Sequence, residues 1–279
     1  MGLGAVITGS SGFIGTRLAR RLAEDARYDR IVAVDIAPPR ERVPKVEYVE
    51  GDVRHPLPTA LGLGVDEIYN LAAVHRTPGH PPAEYYDTNV NGALQVTRFA
   101  AACEIPTIVF TSSISVYGPS EDVVAEDSPL RPVSDYGRSK RMAELIHEDW
   151  QVAAAGRRLV IVRPGVVFGP GEFGNYTHLA NALRRGYFAF PGRRDTVKSG
   201  GYVDELLGTF AFALTRNEPF IRYNFADPQL STTEDIVAAF RDVAGWKVNP
   251  PHAAALAFPG HGPRFRSLVG GRHPHPDPS

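Results

Sequence analysis

A glycine-rich turn near the N-terminus constrains this chain more than any other feature. Glycines recur at every third position in the segment Thr-Gly-Ser-Ser-Gly-Phe-Ile-Gly, residues 8–15. The β-branched run at 5–8 predicts a strand before the turn, and the stretch at 13–25 predicts a helix after it. A strand, a glycine turn and a helix in this order are typical of an α/β unit with a parallel sheet.

The spacing of the three glycines indicates a phosphate-binding turn. Gly9 permits the tight bend, Gly12 lets the backbone approach a pyrophosphate, and Gly15 lets helix and strand pack closely. The N–H groups of Phe13 and Ile14, at the start of the helix, would then face the phosphates. A glycine triplet also occurs in purely structural turns. Because a predicted strand and a predicted helix flank this one, we expect a dinucleotide site.

The rest of the first 165 residues alternates between short β-branched runs and helical stretches. Further strands are predicted at 31–35, 46–49, 67–73, 107–111 and 159–162, and further helices at 84–103 and 136–155. This alternation predicts a parallel sheet with helices on both faces. We therefore expect an α/β fold with a Rossmann-type doubly wound parallel sheet.

Beyond residue 165 the alternation loosens, and glycine, proline and aromatic residues accumulate. Helices are predicted at 176–185 and 233–243. We predict a dinucleotide-binding domain at 1–165 and a small C-terminal substrate lobe at 166–250, interleaved with the last elements of the sheet. The Pro-, Gly- and His-rich segment 251–279 predicts a flexible tail.

Composition narrows the class of protein. A chain of 279 residues that is 43% hydrophobic can bury a sizeable core, and its net charge of -1 provides no global attraction to nucleic acid or acidic membranes. The single Cys103 excludes an internal disulfide. No apolar run approaches the roughly 18 residues of a membrane span, and the N-terminus lacks signal-peptide features. We expect a cytoplasmic protein that binds neither membranes nor nucleic acid and has no metal site.

Acidic residues follow the second and third predicted strands. Asp35, at the end of a strand, is placed to accept hydrogen bonds from an adenosine ribose, and its charge would repel a 2′-phosphate. This favours NAD over NADP, although Arg40 nearby would attract a phosphate. Asp52 is a candidate for binding the adenine amino group. Both acids could instead be ordinary loop residues.

Tyr136 and Lys140 are candidates for an acid/base pair. They are four residues apart, so they share one face of the predicted helix. A free phenol titrates near 10, and lowering that pKa to about 7 requires roughly 4 kcal/mol of preference for the phenolate. A neighbouring ammonium and a positive nicotinamide ring would supply it, and the lysine could also hold the nicotinamide ribose. The alternative is an ordinary pair on a helix surface.

Hydroxyl groups cluster after the strand predicted at 107–111. Ligands of doubly wound sheets bind at the carboxyl ends of the strands, and a hydroxyl there could bind the reacting oxygen and share its proton with Tyr136. Ser112, Ser113 and Ser115 are all candidates, and spacing does not separate them. The alternative is a turn in which these hydroxyls cap backbone groups.

Several ordered motifs together resemble one family, from residue 3 to about residue 240. They lie at 8–15, 70–73, 84–92, 109–118, 136–140, 163–169 and 202–206. This combination resembles the extended short-chain dehydrogenase/reductase family, in its NAD-dependent epimerase/dehydratase branch with UDP-glucose 4-epimerase-like enzymes. The resemblance implies NAD as the cofactor, a nucleotide sugar as the substrate and a homodimer that pairs the helices at 84–103 and 136–155.

The resemblance also assigns roles by position. Ser113 stands where the family has its catalytic serine, with Tyr136 as the acid/base and Lys140 as its partner. Further cofactor contacts are implied for Val53, Leu71, Ala72, Ala73, His75, Asn89 and Pro164. His75 stands where relatives carry a lysine, so its role stays open. Substrate contacts are implied for Ser113, Asn175 and Lys198, with a plain helix cap as the alternative for Asn175.

The reaction is narrowed by the neighbours of the catalytic serine. Dehydratases of the family place an acid beside it, whereas Ser112 and Ile114 flank Ser113 here. The resemblance therefore favours a sugar-nucleotide 4-epimerase over a dehydratase. A 4-keto-sugar-nucleotide reductase or a sugar-nucleotide dehydrogenase is the second hypothesis. The short C-terminal segment keeps open a third, a scaffold that binds NAD without catalysis.

Overall fold

The computed structural model describes residues 2–76, 79–186, 188–190, 193–229 and 231–246. The predicted tail at 251–279 lies outside the described residues. Among those residues nine strands are present: β1 (Leu3–Thr8), β2 (Tyr28–Asp35), β3 (Val46–Glu50), β4 (Glu67–Asn70), β5 (Thr107–Thr111), β6 (Arg158–Pro164), β7 (Val166–Phe168), β8 (Gly200–Tyr202) and β9 (Phe220–Phe225).

Seven of these strands form one sheet in the order β3-β2-β1-β4-β5-β6-β9, and every neighbouring pair is parallel. β7 and β8 form a separate parallel pair. The order reverses direction between β1 and β4, and ligands of doubly wound sheets bind at such a switch point. The predicted α/β fold with a doubly wound parallel sheet is confirmed.

Helices cover both faces of the sheet: α1 (Phe13–Glu24), α2 (Pro82–Tyr85), α3 (Gly92–Ala102), α4 (Asp135–Val152), α5 (Asn175–Arg184), α6 (Val203–Thr215) and α7 (Thr233–Ala244). α3 and α4 contribute Val96, Phe99 and Trp150 to the core on one face. α1 and α6 contribute Leu18 and Phe210 to the core on the other face. None of the helices in the described part of the chain is long and apolar enough to cross a bilayer.

Three differences from the sequence predictions concern the site. The strand predicted at 67–73 ends at Asn70, because its partner β1 ends at Thr8. The Leu71 N–H still donates to the Thr8 carbonyl at 3.0 Å, and Ala72 then lies against Gly9. The helix predicted at 84–103 is divided by a π-helical turn, Tyr86–Asn91. α6 and β9 were not predicted, and both come from the half assigned to the substrate lobe. The proposed division at residue 165 stays a prediction.

A buried hydrogen-bonded chain joins the central strands to α4. The Thr8 hydroxyl donates to Asn70 Oδ1 at 2.8 Å, and Asn70 Nδ2 lies 3.2 Å from His147 Nε2. His147 Nδ1 lies 2.7 Å from the Ala143 carbonyl oxygen, and its ring stacks on Phe110 with centroids 4.2 Å apart. Because a carbonyl only accepts, Nδ1 carries the proton and Nε2 accepts from Asn70. His147 is therefore neutral.

This neutral histidine makes stability depend on pH. Burial lowers the pKa of His147 from 6.5 to about 4. In the unfolded chain His147 binds a proton below pH 6.5, whereas in the folded protein it does so only near pH 4. The free energy of unfolding is therefore unaffected by His147 above pH 6.5 and falls as the pH decreases towards 4. We expect a loss of about 1.4 kcal/mol per pH unit in that window from this residue. Urea unfolding at several pH values should show a shallower dependence for His147→Gln, and equal slopes for both proteins would contradict the assignment.

Candidate active site

The glycine-rich turn lies at the carboxyl end of β1 and has no room for side chains at two of its glycines. Gly9 has a φ of 73°, and a Cβ there would lie 2.6 Å from the Ala72 backbone nitrogen. A Cβ on Gly15 would lie 2.3 Å from the Gly9 carbonyl oxygen. Among the described residues, a Cβ on Gly12 would meet only that same oxygen, at 3.1 Å. The turn therefore packs tightly against the rest of the fold at Gly9 and Gly15 and leaves more space at Gly12.

Polar groups at this opening fit a pyrophosphate. α1 begins directly after Gly12, and no side chain caps this end of the helix. The first-turn N–H groups of Phe13, Ile14 and Gly15 can therefore face an anion. Ser10 Oγ, in the turn itself, is buried without a hydrogen-bond partner among the described residues. The residues present thus fit the phosphates of a dinucleotide.

Asp35 ends β2 beside the turn. Its two carboxylate oxygens accept the N–H groups of Ser11 and Ala37, each at 2.9 Å. A carboxylate has about four lone-pair sites, so it can still accept a ribose hydroxyl. Arg40, the residue that left NADP open, donates to the Gly171 carbonyl at 3.1 Å, and its guanidinium lies 5.2 Å from the Phe173 ring centroid. The arrangement favours an unphosphorylated ribose.

The residues assigned to the adenine and to the walls of the cofactor site differ in burial and in the hydrogen bonds that they already make within the protein. Arg54 donates to Asp52 through Nη2 at 2.7 Å, and its hydrogen bonds lower the pKa of that carboxyl. Asp52 is thus tied to its neighbour, and an adenine contact stays a prediction. Val53 is buried in the core, and Pro164 is buried at the end of β6. The half-buried Leu71, Ala72 and Ala73 follow β4 beside Gly9.

Asn89 braces the segment after β4 against α4. Its Oδ1 accepts the Val74 N–H at 2.9 Å, and its Nδ2 donates to the Val74 carbonyl at 3.0 Å and to Ser139 Oγ at 2.8 Å. Ser139 in turn donates to the Tyr136 carbonyl at 2.8 Å. A direct cofactor contact by Asn89 stays a prediction, and the bonds observed position the helix that carries Tyr136.

The start of α4 is set by its own sequence and by the serine loop after β5. Ser134 caps the helix by accepting the Gly137 N–H at 3.0 Å. A Cβ on Gly137 would lie 2.5 Å from the Ser115 carbonyl oxygen, so only glycine allows this close approach. The glycine next to Tyr136 thereby brings the tyrosine up to the serines.

Lys140 lies beneath that helix start, 2% exposed. Its ammonium donates to the Thr111 carbonyl at 2.8 Å and lies 4.8 Å from the centroid of the Phe110 ring. Burial lowers the pKa of Lys140 to about 7, and the charge of Glu144 acts in the opposite direction. Burial, and after it the charge of the same ammonium, lower the pKa of His75, which follows β4.

The pKa of Tyr136 differs from the one that we expected from the sequence. Burial raises the pKa of its phenol, and a hydrogen bond with Ser113 offsets only part of that effect. The lowered pKa that we expected of an active base is therefore not present in the chain alone. The physical reason is that the phenol is desolvated while the Lys140 ammonium is directed at the Thr111 carbonyl.

The structure separates the three serines that spacing left equivalent. Ser112 donates to Glu144 Oε1 at 2.6 Å, so its hydroxyl is engaged in the interior. Ser113 bonds with Tyr136, donates to Ser115 Oγ at 3.1 Å and accepts the Ser115 N–H at 3.1 Å. Ser113 is therefore the hydroxyl that shares a proton with Tyr136.

A cavity of about 270 Å³ opens next to this serine loop. Its walls are Ile114, Ser115, Gly118, Pro119, Val133 and Ser134. They come from the segment that follows Ser113 and from the segment that precedes Tyr136. The cavity thus lies on the side of the site that carries the serines.

Two of the three residues predicted to bind substrate, Asn175 and Lys198, lie farther along the chain and are exposed. Asn175 is the first residue of α5, and the cap position belongs to Gly174, so the alternative of a plain N-cap is wrong. Glu172 caps this helix instead by accepting the N–H groups of Gly174 and Thr177. Lys198 lies next to an isolated bridge between Val197 and Thr232, and both substrate assignments stay predictions.

Fold and site together define a dinucleotide-binding α/β protein with a Tyr–Lys pair at the carboxyl edge of its sheet. Residues 5–225 match the model of the NAD dependent epimerase/dehydratase family. The chain belongs to this family, as the sequence motifs predicted. NAD is therefore its cofactor, and an NAD-dependent enzyme of this family is the class that the site defines.

Three relatives illustrate the similarity. The chain is 31% identical to N-acetyl-alpha-D-glucosaminyl-diphospho-ditrans,octacis-undecaprenol 4-epimerase of Escherichia coli O157:H7, over 88% of this chain and 74% of that protein. It is 26% identical to UDP-glucose 4-epimerase of Streptococcus mutans serotype c, over 89% and 84%. UDP-glucuronic acid 4-epimerase from Bacillus cereus, solved in complex with NAD, shares the fold with a TM-score of 0.80 at 21% identity, over 90% and 87%.

Glu144 and Arg163 belong to this region but were not identified from the sequence as site residues. Both side chains are 0% exposed, and they form an ion pair at 2.8 Å under the serine loop. The available signal was that Glu144 follows Lys140 by four residues, which places both on one face of a helix. Nothing in the sequence pairs Glu144, on α4, with an arginine on β6.

Proposed function

We propose that this protein is an NAD-dependent 4-epimerase of a nucleotide sugar. The observation that carries the proposal is the grouping of Ser113, Tyr136 and Lys140 at the carboxyl end of β5, close to the glycine-rich turn. The relatives named above support C4 of a sugar as the reacting centre, since all three are 4-epimerases.

The residues would act as follows. NAD, when bound at the glycine-rich turn, would supply reversible hydride transfer with the sugar and the positive charge of its oxidised ring. Tyr136 takes the proton of the reacting hydroxyl and gives it back, because it is the buried phenol bonded to Ser113. Ser113 holds the reacting oxygen, and the Lys140 ammonium stabilises the phenolate.

The arrangement disfavours dehydration, which needs an acid beside the serine. Glu144 is the carboxyl nearest in the hydrogen-bond network, through Ser112. Burial opposes its ionisation, but hydrogen bonds from Arg163 and Ser112 outweigh burial and lower its pKa. Glu144 is thus ionised and is not a proton donor.

The diphosphate of the substrate would be held by the lobe that follows β6. Arg193 is engaged with Asp195 at 2.9 Å and Arg194 with Glu234 at 3.4 Å. Lys198 is exposed, and we propose that it contacts the diphosphate together with Asn175. A lysine keeps the charge of the arginine found in many relatives but loses its two-pronged hydrogen bonding.

We also propose a homodimer formed through the outer face of α4. Met142 and Leu145, three residues apart on this helix, are 44% and 45% exposed. Trp150, on the same helix, is buried in the protein's own core and does not contribute to such a surface.

A cytoplasmic location stays a prediction.

The experiment is an epimerase assay with purified protein and no added cofactor. UDP-glucose, UDP-N-acetylglucosamine and the undecaprenyl diphosphate-linked N-acetyl sugar are each incubated, and C4 epimers are separated by chromatography. We expect interconversion of a nucleotide sugar by NAD that the protein retains. Parallel reactions contain added NAD(P)H, and turnover that occurs only there and consumes it stoichiometrically would identify a reductase. Turnover of the lipid-linked sugar alone would replace the substrate class, and retained NAD without turnover would identify a scaffold.

A further inference from the structure

Glu144 lies one helical turn beyond Lys140 and is surrounded by donors from three elements. Arg163 on β6 donates to it through Nε and Nη2, both at 2.8 Å. Ser112, directly after β5, donates at 2.6 Å, and Arg141 on α4 donates at 3.1 Å. A fully buried carboxylate with this many charged and neutral donors is held in its ionised form.

The same network reaches the far end of the serine loop. Arg163 Nη1 donates to the Tyr117 hydroxyl at 2.7 Å, and Tyr117 donates to Asn224 Oδ1 on β9 at 2.8 Å. Ser112 and Tyr117 therefore tether both ends of the segment that contains Ser113. Because the tethers meet at Glu144 and Arg163, this ion pair fixes the loop relative to α4.

We propose that Glu144 is a positioning residue for the reaction: its charge keeps the Lys140 ammonium protonated, and its bond to Ser112 fixes the serine loop against Tyr136. The proposal rests on the proposed function for the role of Lys140, but its electrostatic part concerns this chain alone. A merely structural ion pair would stabilise the fold without affecting the titration of Lys140.

The charges around Lys140 single out Glu144. On α4 itself, His147 interacts with the lysine and Tyr136 lies one turn before it, and both are neutral at pH 7 because burial disfavours their charged forms. From the segment after β4, His75 faces it and also has a lowered pKa. Thr111 and Phe110 on β5 contribute a carbonyl and a ring. Within the described residues, Glu144 is the one carboxylate that raises the pKa of Lys140.

Glu144 has charged neighbours of its own. Arg141 lies between Glu144 and Glu148, 3.1 Å and 3.0 Å away, and Glu148 also pairs with Arg222 on β9 at 3.3 Å. Arg163 is the fully buried partner. These positive groups keep Glu144 ionised over the pH range in which Lys140 titrates, so its charge acts on the lysine throughout.

The test follows Lys140 directly by carbon-13 NMR of labelled lysine side chains. The chain has only four lysines, at 45, 140, 198 and 247, so one Lys140→Met variant assigns the signal. We expect Glu144→Gln to lower the pKa of Lys140 by about 1–2 pH units, since removing an opposite charge has this effect. Glu144→Asp keeps the charge and should restore the pKa to within about half a unit.

A matched variant separates the charge from the tether. Ser112→Ala removes the hydrogen bond to the loop but no charge, so the pKa of Lys140 should stay unchanged while kcat falls about ten- to hundredfold at similar KM. In Glu144→Gln the alkaline limb of kcat should also move to lower pH, because activity is lost as the lysine deprotonates. An unshifted Lys140 signal in Glu144→Gln would overturn the proposal.

Two further outcomes are distinguishable. If Glu144→Gln does not fold, the double variant Glu144→Gln/Arg163→Met leaves no unpaired buried charge, and it should lower the pKa of Lys140 in the same direction. A signal unshifted there would equally overturn the proposal. If no protein turns over any sugar, the proposed function fails, whereas the NMR titration still decides whether Glu144 sets the charge of Lys140.

Discussion

Replacing Tyr136 with phenylalanine should lower kcat by about 10²–10⁴-fold while NAD stays bound, the range typical of a lost acid/base group. Phenylalanine keeps the ring, which packs against Tyr85 with centroids 6.3 Å apart. It loses the hydroxyl that bonds with Ser113. The measurement is kcat at saturating substrate, together with the NAD released from the denatured protein.

A second tyrosine provides the matched control. The Tyr86 hydroxyl donates to Asp135 Oδ1 at 2.9 Å, at the start of the same helix. Tyr86→Phe therefore removes a phenol hydroxyl that also contacts α4 but is not bonded to the serine loop. We expect kcat within about threefold of the original. If Tyr136→Phe retained more than about a tenth of the activity, Tyr136 would not be the acid/base.

Replacing Arg163 with methionine should lower the free energy of unfolding by about 3–5 kcal/mol, because it leaves the Glu144 carboxylate buried without its main partner. Both side chains are 0% exposed, so water does not replace the lost donors in the folded protein. The measurement is urea unfolding at pH 7, followed by fluorescence.

The control for this variant is a partly exposed ion pair made by the same residue types. Arg222 lies 3.3 Å from Glu148, and their side chains are 29% and 26% exposed. Arg222→Met should cost no more than about 1 kcal/mol. The double variant Glu144→Gln/Arg163→Met should recover much of the loss, since neither charge is left unpaired. Equal losses for the two arginine variants would show that burial does not govern the Arg163 pair.

Local patterns predicted most of the elements that build the sheet. The strand at 107–111 agrees residue for residue with β5, and the helix at 13–25 with α1 to within one residue. α6 was missed although apolar residues recur at helical spacing in it, at 203, 206, 207, 210 and 213. β9 was missed because Arg222 and Asn224 interrupt its apolar residues, so that its strand character depends on pairing with β6.

Local patterns failed where a distant contact decides the outcome. The π-helical turn at Tyr86–Asn91 divides a run that favours one continuous helix, and Asn89 within it bonds to Val74 and Ser139. The three serines after β5 look alike in sequence. They differ because Ser112 reaches Glu144 on a helix that begins 23 residues later in the chain.

The sequence by itself determined the glycine-rich turn, the parallel sheet, the acid at the end of β2 and the Tyr–Lys spacing. Each of these depends on residues within one strand, one turn or one helix, where backbone geometry translates spacing into position. Only the tertiary structure decided which serine meets Tyr136, which acid lies buried beside Lys140, and the direction in which burial moves the pKa of each group. Those properties depend on desolvation and on partners from other elements, and neither is encoded in the spacing of nearby residues.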